Sequence, residues 1–287
     1  MDNRFSDNTI TIIDGGNFSN GLALKFYSER FEFNVEYVVS RYMPEIIKNQ
    51  LESERMTIIT APKKAGLSIV KEFYSHIPEL LRSQEFRKNK IWLKHPKFGG
   101  QVLIPFAKEL IYSLSEIPDI ILSCAGSGSF LESYQEVLKE KLKQDYNKEV
   151  SIIIAEHKNY PIFARRLKLN LNKVNSSEFK EVSVLLKYRK VSGLKTSVSG
   201  PHYQEINPFL SDKTITSIDE IVHYSEEDWQ RVQNYLFNQN IYVGNSSAIN
   251  IACSIYFANK GNIILTPIFE PFRSFYEEIA KRLNIKK

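Results

Sequence analysis

The sequence predicts an α/β protein built from two three-layer α/β/α domains with mostly parallel sheets. Apolar, β-branched runs alternate along the chain with helical stretches of ten or more residues, a pattern typical of parallel strands joined by crossover helices. The runs are continuous rather than alternating with polar residues, which indicates sheets covered on both faces. A polar, glycine-containing stretch near 85–100 marks a soft boundary, so we expect domains at residues 8–90 and 91–287.

The first domain is predicted to contain three strand–helix pairs. "NTITIID" reads as a strand and is followed by a helix at 17–29. "FNVEYVVS" precedes a helix at 43–52, and "RMTIITA" precedes a helix at 66–84. "IWLKHP" is too short to assign to either class.

The second domain continues the same alternation. Its predicted helices lie at 101–116, 129–143, 225–238, 246–259 and 271–284. Its predicted strands are "PDIILSC", "EVSIIIAE" and "GNIILTPI". Residues 160–218 are basic and rich in serine, with a weak signal for either class.

Composition excludes several functional classes. The 287 residues are 43% hydrophobic, with a net charge of +5 and scattered lysines, so neither a basic face nor a nucleic-acid-binding module is indicated. No apolar run approaches about 18 residues and the polar N-terminus lacks a signal-peptide core, so we expect no membrane segment and a cytoplasmic location. The two cysteines are far apart in apolar surroundings, and the five histidines show no metal-ligand spacing.

Three turns rich in glycine, serine and asparagine each follow a strand or extended stretch and open a helix: "DGGNFSNG" (14–21), "CAGSGSFLES" (124–133) and "YVGNSSAIN" (242–250). Converging backbone N–H groups and the helix dipole favour a phosphate at such a turn. The alternative is that the glycines only permit tight turns and the polar residues cap helices. Three such turns in one chain favour a phosphate-bearing ligand.

Common nucleotide and hydrolase motifs are absent from the sequence. There is no G-x-x-x-x-G-K-[ST] loop and no G-x-S-x-G elbow. "GSGSFL" places Leu131 where a dinucleotide fingerprint needs its third glycine. His202, beside Gly200-Pro201, is more simply read as a solvated loop residue.

In their order, the turns resemble segments of the fold type II pyridoxal-phosphate enzymes, the group of cysteine synthase and the tryptophan synthase β-chain. "GGNFSNGLAL" is similar to that family's S-G-N-T-G-I-A-L, and "LSCAGSGSFLESYQEVLKE" is similar to its G-x-G-T-G-G-T-L-x-G loop and helix. "SIIIAEHKNYPIF" resembles a V-x-x-V-E-P strand with Glu156 in place. "VGNSSAINIACSIYFANKGNIILTPI" resembles the closing V-x-x-S-S-G-A-x-x-A-A helix and the strand after it.

The resemblance implies a tryptophan synthase β-like fold, pyridoxal 5′-phosphate as cofactor and a small amino acid as substrate. Asn17 would donate to the cofactor's phenolic oxygen, and Ser246, with Ser247, would line its site. The remaining implied contacts are the phosphate cradle, formed by Gly126, Ser127, Gly128 and Ser129, and the turn for the substrate carboxylate, formed by Gly15, Gly16 and Phe18.

Two departures from the family pattern stand out. The family's Schiff-base lysine lies a few dozen residues before the Asn motif, whereas 16 residues without a lysine precede Asn17, so we expect a chain truncated at its N-terminus relative to the family. Lys63 and Lys64 are better explained as a polar helix start than as substitutes. "LTPIFEPFRS" places Ile268 and Phe269 where the family has a serine or threonine against the pyridine nitrogen.

Three hypotheses therefore remain open. The chain is an enzyme for β-elimination or β-replacement on a serine- or cysteine-like amino acid, active as a homodimer or with a partner chain that supplies the missing segment. Alternatively, it is a non-catalytic relative, a pseudoenzyme that binds or regulates. Finally, it is an unrelated α/β protein that binds a phosphate-bearing ligand and shares only the architecture.

Overall fold

The computed structural model describes residues 9–16, 18–41, 43–63, 69–83, 89–157, 161–170, 180–181, 206–207 and 209–269. The chain forms two compact units, Met1–His95 and Pro96–Lys287. Each unit contains a parallel sheet with helices, so the predicted α/β class is confirmed. None of the helices in these described ranges is both long enough and apolar enough to cross a membrane.

The first unit has, among its described residues, a four-stranded sheet in the order β3-β2-β1-β4 with every neighbouring pair parallel. Its elements are β1 (Thr11–Gly15), α1 (Phe18–Phe31), β2 (Asn34–Val39), α2 (Glu45–Leu51), β3 (Met56–Thr60), α3 (Ile69–Ser83) and β4 (Lys90–Trp92).

Helices cover both faces of this sheet. On one face, Tyr37 of β2 and Met56 of β3 pack with Leu51 of α2, and all three are fully buried. Gly21 lets α1 approach this cluster closely, because an added Cβ would lie 2.9 Å from Leu51 and Tyr37. On the opposite face, Ile77 of α3 is completely buried.

The second unit has a five-stranded sheet in the order β7-β8-β6-β5-β9, again parallel throughout its described pairs. Its elements are α4 (His95–Ser113, beginning at the last residue of the first unit), β5 (Ile120–Cys124), α5 (Ser129–Tyr134), a π-helical turn (Gln135–Lys139), α6 (Glu140–Tyr146), β6 (Ser151–His157), α7 (Ile162–Asn170), β7 (Lys180–Glu181), α8 (Asp212–Thr216), β8 (Glu220–Tyr224), α9 (Glu226–Asn238), α10 (Asn245–Ala258) and β9 (Ile264–Leu265).

The two faces of this second sheet bury separate clusters. Trp229 of α9 and Cys253 of α10 pack with Tyr224 on one face. Helices α7 and α8 pack on the other face, where Phe163 contacts the cluster around Ile154. Alternate strand residues thus point to opposite helical layers, as the continuous apolar runs predict.

The sequence prediction missed three elements and misplaced the start of one helix. The sequence signal missed β8, a central strand of five residues, and it missed α7 and α8 inside the weak 160–218 region. The predicted helix at 101–116 begins earlier, at His95. Its two glycines are helical because they allow close packing: an added Cβ at Gly99 would lie 2.6 Å from Ser129 Oγ, and one at Gly100 would lie 2.3 Å from Glu132.

Other corrections concern how regular the elements are. "IWLKHP" contributes the end of a short strand, which ends at Trp92. The helix predicted at 129–143 is interrupted by the π-helical turn, and only Ile264 and Leu265 of "GNIILTPI" pair as a strand. The predicted helix at 271–284 lies outside the described residues.

Candidate functional site

The candidate site is the turn Ala125–Ser129, where β5 ends and α5 begins. All five residues of β5 are buried, so the strand ends in a fixed place at the carboxyl edge of the sheet. Gly128 reverses the chain with φ = +81°, a conformation that side chains rarely adopt. Its Cα faces Leu210, because an added Cβ would lie 2.7 Å from Leu210 Cδ1.

The backbone N–H groups of the turn are candidate donors to a ligand. Within the described part of the chain, the N–H groups of Gly126, Ser127 and Gly128 have no hydrogen-bond acceptor. The helical run that starts at Ser129 continues through the π-helical turn to Tyr146, so its partial positive charge lies at these N–H groups. An anion placed here would receive hydrogen bonds and a favourable dipole together.

The two serine hydroxyls of the turn are ordered by each other. Ser127 Oγ donates to Ser129 Oγ at 3.1 Å and accepts from the Ser129 N–H at 3.4 Å. The Ser129 hydroxyl proton is therefore directed away from Ser127. This arrangement provides one side-chain donor in addition to the backbone donors.

Asn207 supports the turn from behind. Its side-chain amide donates to the carbonyl of Ser127, and its Oδ1 accepts from the N–H of Phe209 at 3.1 Å. Asn207 is 5% exposed, so this bond is shielded from water. No sequence pattern indicated this role, because Asn207 lies in the weak 160–218 region, 80 positions from its partner.

Helix α10 joins the turn to the segment after β9 through one buried side chain. Asn250 Oδ1 accepts from the N–H of Cys124 at 2.7 Å, and its Nδ2 donates to the carbonyl of Pro267 at 2.9 Å. Asn250 is completely buried. Cys124 also donates to the Ser246 carbonyl, with Sγ and O separated by 3.7 Å, so Ser246 lies beside the start of the turn.

The segment after β9 has its polar groups turned toward the scaffold. Thr266 Oγ1 donates to the Leu122 carbonyl at 2.8 Å, and the Phe269 N–H donates to Ser247 Oγ at 3.0 Å. The side chains that remain exposed are apolar, Ile268 and Phe269. Ile268 and Phe269 therefore offer no side-chain hydrogen bond to a ring nitrogen. The turn at Gly126–Ser129, in contrast, offers the N–H donors that a phosphate group requires.

Glu156 is part of the scaffold in this structure. Its buried carboxylate accepts from the N–H groups of Phe163 and Ala164 at 2.9 and 3.0 Å, which caps the start of α7. His223 Nε2 lies 3.3 Å from the same carboxylate. Sequence reasoning placed Glu156 correctly on a strand but did not identify His223, because β8 was not predicted.

The predicted substrate turn lies in the first unit. Gly15 is the last residue of β1, and Gly16 donates its N–H to the Val38 carbonyl at 3.1 Å. Phe18 begins α1 and packs against the core cluster of that unit. Lys63 is exposed after β3, whereas Asn17, Lys64 and His202 lie outside the described residues.

Burial disfavours the ionised form of two side chains in the second unit. Burial raises the pKa of Tyr134 to about 12 and raises the pKa of the Cys253 thiol well above its ordinary value. Cys124 and Cys253 are both buried and neither forms a disulfide, in agreement with the apolar surroundings that their sequence neighbours indicate. No cluster of three or more His, Cys, Asp or Glu suited to a metal ion occurs among the described residues.

Solved structures similar to this chain include a synthase, a hydrogen sulfide-producing enzyme and a sulfhydrylase. The O-acetylserine dependent cystathionine beta-synthase from Helicobacter pylori superposes with a TM-score of 0.66 at 16% identity, over 96% of this chain and 78% of its own. A hydrogen sulfide-producing enzyme from Fusobacterium nucleatum gives 0.63 at 15% identity, over 94% and 79%. O-acetyl serine sulfhydrylase isoform 3 from Entamoeba histolytica gives 0.65 at 16% identity, over 96% and 72%.

Comparisons of sequence alone find no such relatives. No protein-family model matches the chain, and no curated protein matches it. At identities this low, the structural likeness establishes the fold, and the predicted tryptophan synthase β-like architecture is confirmed.

Proposed function

We propose that this chain, which has the fold of the cysteine synthase-like fold type II pyridoxal-phosphate enzymes, binds pyridoxal 5′-phosphate at the turn Gly126–Ser129. The observation that carries the proposal is the set of three backbone N–H groups at the start of a long helical run, without acceptors among the described residues. The fold supports the choice of cofactor, because its structural neighbours belong to a pyridoxal-phosphate-dependent group.

In this proposal the turn binds the phosphate through the N–H groups of Gly126, Ser127 and Gly128, and through the hydroxyl of Ser129. Ser246 lies beside the same turn and lines the site. Asn250 and Asn207 hold the turn in place from behind, so the donors are oriented before the ligand arrives. The proposal thus assigns binding to the turn and orientation to the two asparagines.

The proposed substrate is a serine- or cysteine-like amino acid. Bound pyridoxal phosphate supplies an electron sink for the negative charge that develops at the amino acid's α-carbon during β-elimination or β-replacement. Gly15, Gly16 and Phe18, with Asn17, are the proposed substrate turn in the first unit. Catalysis also requires a reactive lysine, and we propose that it is supplied by a segment other than the turn, in this chain or in a partner.

A partner is supported by the outer face of α4. Phe98, Val102 and Phe106 recur every four residues on one side of this helix, and they are 41%, 74% and 56% exposed. An apolar helix face of this kind is typical of a protein–protein contact. A homodimer or a partner chain that covers α4 is therefore part of the proposal.

Two substitutions at Ser127 test the phosphate site without disturbing the turn. Ser127→Asp and Ser127→Asn each keep an oxygen able to accept from the Ser129 N–H, so both should preserve the local structure. Only the aspartate places a negative charge where the phosphate would bind. Isothermal titration with pyridoxal 5′-phosphate and with inorganic phosphate should show binding by the wild type, binding within about 3-fold for Ser127→Asn, and at least about 30-fold weaker binding for Ser127→Asp.

Covalent attachment is measured separately. Borohydride treatment of the protein with pyridoxal 5′-phosphate, followed by mass spectrometry, would identify any lysine that forms a link. A link to one lysine favours an enzyme, whereas binding without a link favours the non-catalytic relative. Absence of binding by the wild type, or equal binding by both Ser127 variants, would contradict the proposed site.

A further inference from the structure

The segment that follows β9 presents an aromatic ring, Phe269, at the edge of the phosphate turn. β5 and β9 run parallel with Ile121 opposite Leu265, so the residues after β9 follow the same direction as the end of β5. The Phe269 N–H is fixed by Ser247 Oγ, and the Pro267 carbonyl is fixed by Asn250. The backbone that carries the ring is thus attached to α10 at two points.

Direct ring contact places Phe269 next to the turn. Phe130 follows Ser129, the last residue of the turn, and its ring meets that of Phe269 edge to face, with centroids 5.7 Å apart and planes at 88°. Phe130 in turn stacks on Tyr134 at 3.9 Å, and Tyr134 meets Phe106 at 6.2 Å. Neighbouring rings therefore restrict how Phe130 and Phe269 can turn.

Phe269 retains an open surface despite these contacts. It is 40% exposed, and its neighbour Ile268 is 56% exposed. Three polar groups of the same segment, the Thr266 hydroxyl, the Pro267 carbonyl and the Phe269 N–H, are already hydrogen-bonded to the scaffold. The segment therefore offers hydrocarbon to a ligand held at the turn, and a rigid aromatic face loses little conformational entropy on contact.

We propose that Phe269 contacts the ring of the phosphate-bearing ligand and replaces a hydrogen bond to the ring nitrogen. This inference rests on the proposed function, because the ring comes within reach only when the phosphate occupies the turn. It goes further by defining the ligand class: planar aromatic phosphate esters, whether or not the ring contains a nitrogen. The site selects an aromatic face and a phosphate together.

Three probes separate these contributions. 4′-Deoxypyridoxine 5′-phosphate has the ring, its nitrogen and the ester but no aldehyde, so it cannot form a link to lysine. Benzyl phosphate has the ring and the ester without the nitrogen. Inorganic phosphate has neither ring nor ester. Each is titrated calorimetrically into the full chain and its variants.

Phe269→Leu should weaken binding of 4′-deoxypyridoxine 5′-phosphate and of benzyl phosphate by about 10-fold each, since stacking on an aromatic side chain is lost. The same variant should leave inorganic phosphate unchanged. Phe269→Tyr keeps the ring and should stay within about 2-fold of the wild type. Phe26→Leu is the matched control, because Phe26 is an exposed phenylalanine on α1 and should change none of the three affinities.

The outcomes distinguish this inference from the function on which it rests. If the wild type binds all three probes and Phe269→Leu changes none, or changes inorganic phosphate equally, the aromatic contact is refuted while the phosphate site stands. If Phe269→Ser binds 4′-deoxypyridoxine 5′-phosphate more tightly than the wild type, a ring-nitrogen hydrogen bond is the better account and the inference is refuted. If the wild type binds no probe, the proposed function and this inference fail together.

Discussion

Two glycines with the same backbone conformation differ in what surrounds them, and that difference makes a quantitative prediction. Gly128 in the phosphate turn has φ = +81°, and Gly261, after α10, has φ = +83°. An added Cβ at Gly128 would lie 2.7 Å from Leu210 Cδ1 and 3.0 Å from Cδ2, whereas one at Gly261 would meet no atom within 4 Å. Alanine at either position thus incurs the cost of a left-handed backbone. Only at position 128 does it also displace a neighbouring side chain.

The shared cost is the left-handed backbone, which is about 1–2 kcal/mol for a residue with a Cβ. The additional cost at Gly128 is the displacement of Leu210, a buried member of the core cluster around Ile154, for which overpacking adds about 1–3 kcal/mol. We therefore expect Gly261→Ala to lower the free energy of unfolding by about 1–2 kcal/mol and Gly128→Ala to lower it by about 2–5 kcal/mol.

Urea unfolding monitored by tryptophan fluorescence measures both values. The chain has two tryptophans, and Trp229 is fully buried in the second unit with both glycines. A Trp92→Phe background removes the signal from the first unit. Leu210→Ala supplies the coupling test: in that background, Gly128→Ala should cost only the backbone term, which gives a coupling energy of about 1–3 kcal/mol.

Equal costs for Gly128→Ala and Gly261→Ala, with no coupling to Leu210, would refute the reasoning. Such a result would mean that Leu210 does not pack against the turn as described. The phosphate site would then lose one of the contacts that fix its shape.

Two further predictions concern the scaffold of the second unit. Asn250→Ala removes hydrogen bonds to the Cys124 N–H and the Pro267 carbonyl and leaves both without this partner, so it should lower the free energy of unfolding by about 2–4 kcal/mol in urea titrations. Asn262→Ala, which removes one bond to the Phe257 carbonyl at a partly buried site, should cost about 1 kcal/mol, and an equal cost would contradict the role of Asn250. The hydrogen bond from Lys148, with the N–H of Ile263, lowers the pKa of Asp119 below its ordinary value of 3.8, so the stabilisation by this carboxylate is present above pH 3.8 and is lost as the pH falls through its folded-state value. The thermal unfolding midpoints of the wild type and Asp119→Asn should therefore differ at pH 7 and converge at lower pH. A difference between the midpoints that persists in acid would contradict this assignment.

The long apolar runs made most of the sheet predictable. "IILSC" is buried along its whole length, so its β-branched and aliphatic side chains identify the strand without tertiary information. β8 was missed because "EIVHY" is short and contains Glu220 and His223, although Ile221 and Val222 are buried between β6 and β7. Its strand character depends on neighbours that lie far away in the sequence.

The helix interruptions were not predictable for a similar reason. The π-helical turn at Gln135–Lys139 lies within a sequence that favours helix throughout, and a change to wider hydrogen-bond spacing leaves no compositional signal. Gly99 and Gly100 were part of the stretch that marked a soft domain boundary, yet they lie in α4, where Ser129 and Glu132 approach them too closely for larger residues. In this helix, close packing outweighs the low intrinsic helix propensity of glycine.

The candidate site was predictable only as far as its backbone. Gly126 and Gly128 indicated the turn, and Ser246 indicated the helix beside it. The side chains that hold the turn, Asn207 and Asn250, act across 80 and 126 positions, and no local pattern connects such pairs. The resemblance placed Phe269 where the family has a serine or threonine against the ring nitrogen, but its exposure and its contact with Phe130 required the fold.

The most direct test of the account is a residue-resolved one. Amide chemical shifts of isotopically labelled protein, followed during titration with pyridoxal 5′-phosphate, report which N–H groups the ligand contacts. The account predicts saturable shifts that are largest at Gly126, Ser127 and Gly128 and that Ser127→Asp abolishes. Saturable shifts elsewhere in the chain, with these three amides unchanged, would contradict it.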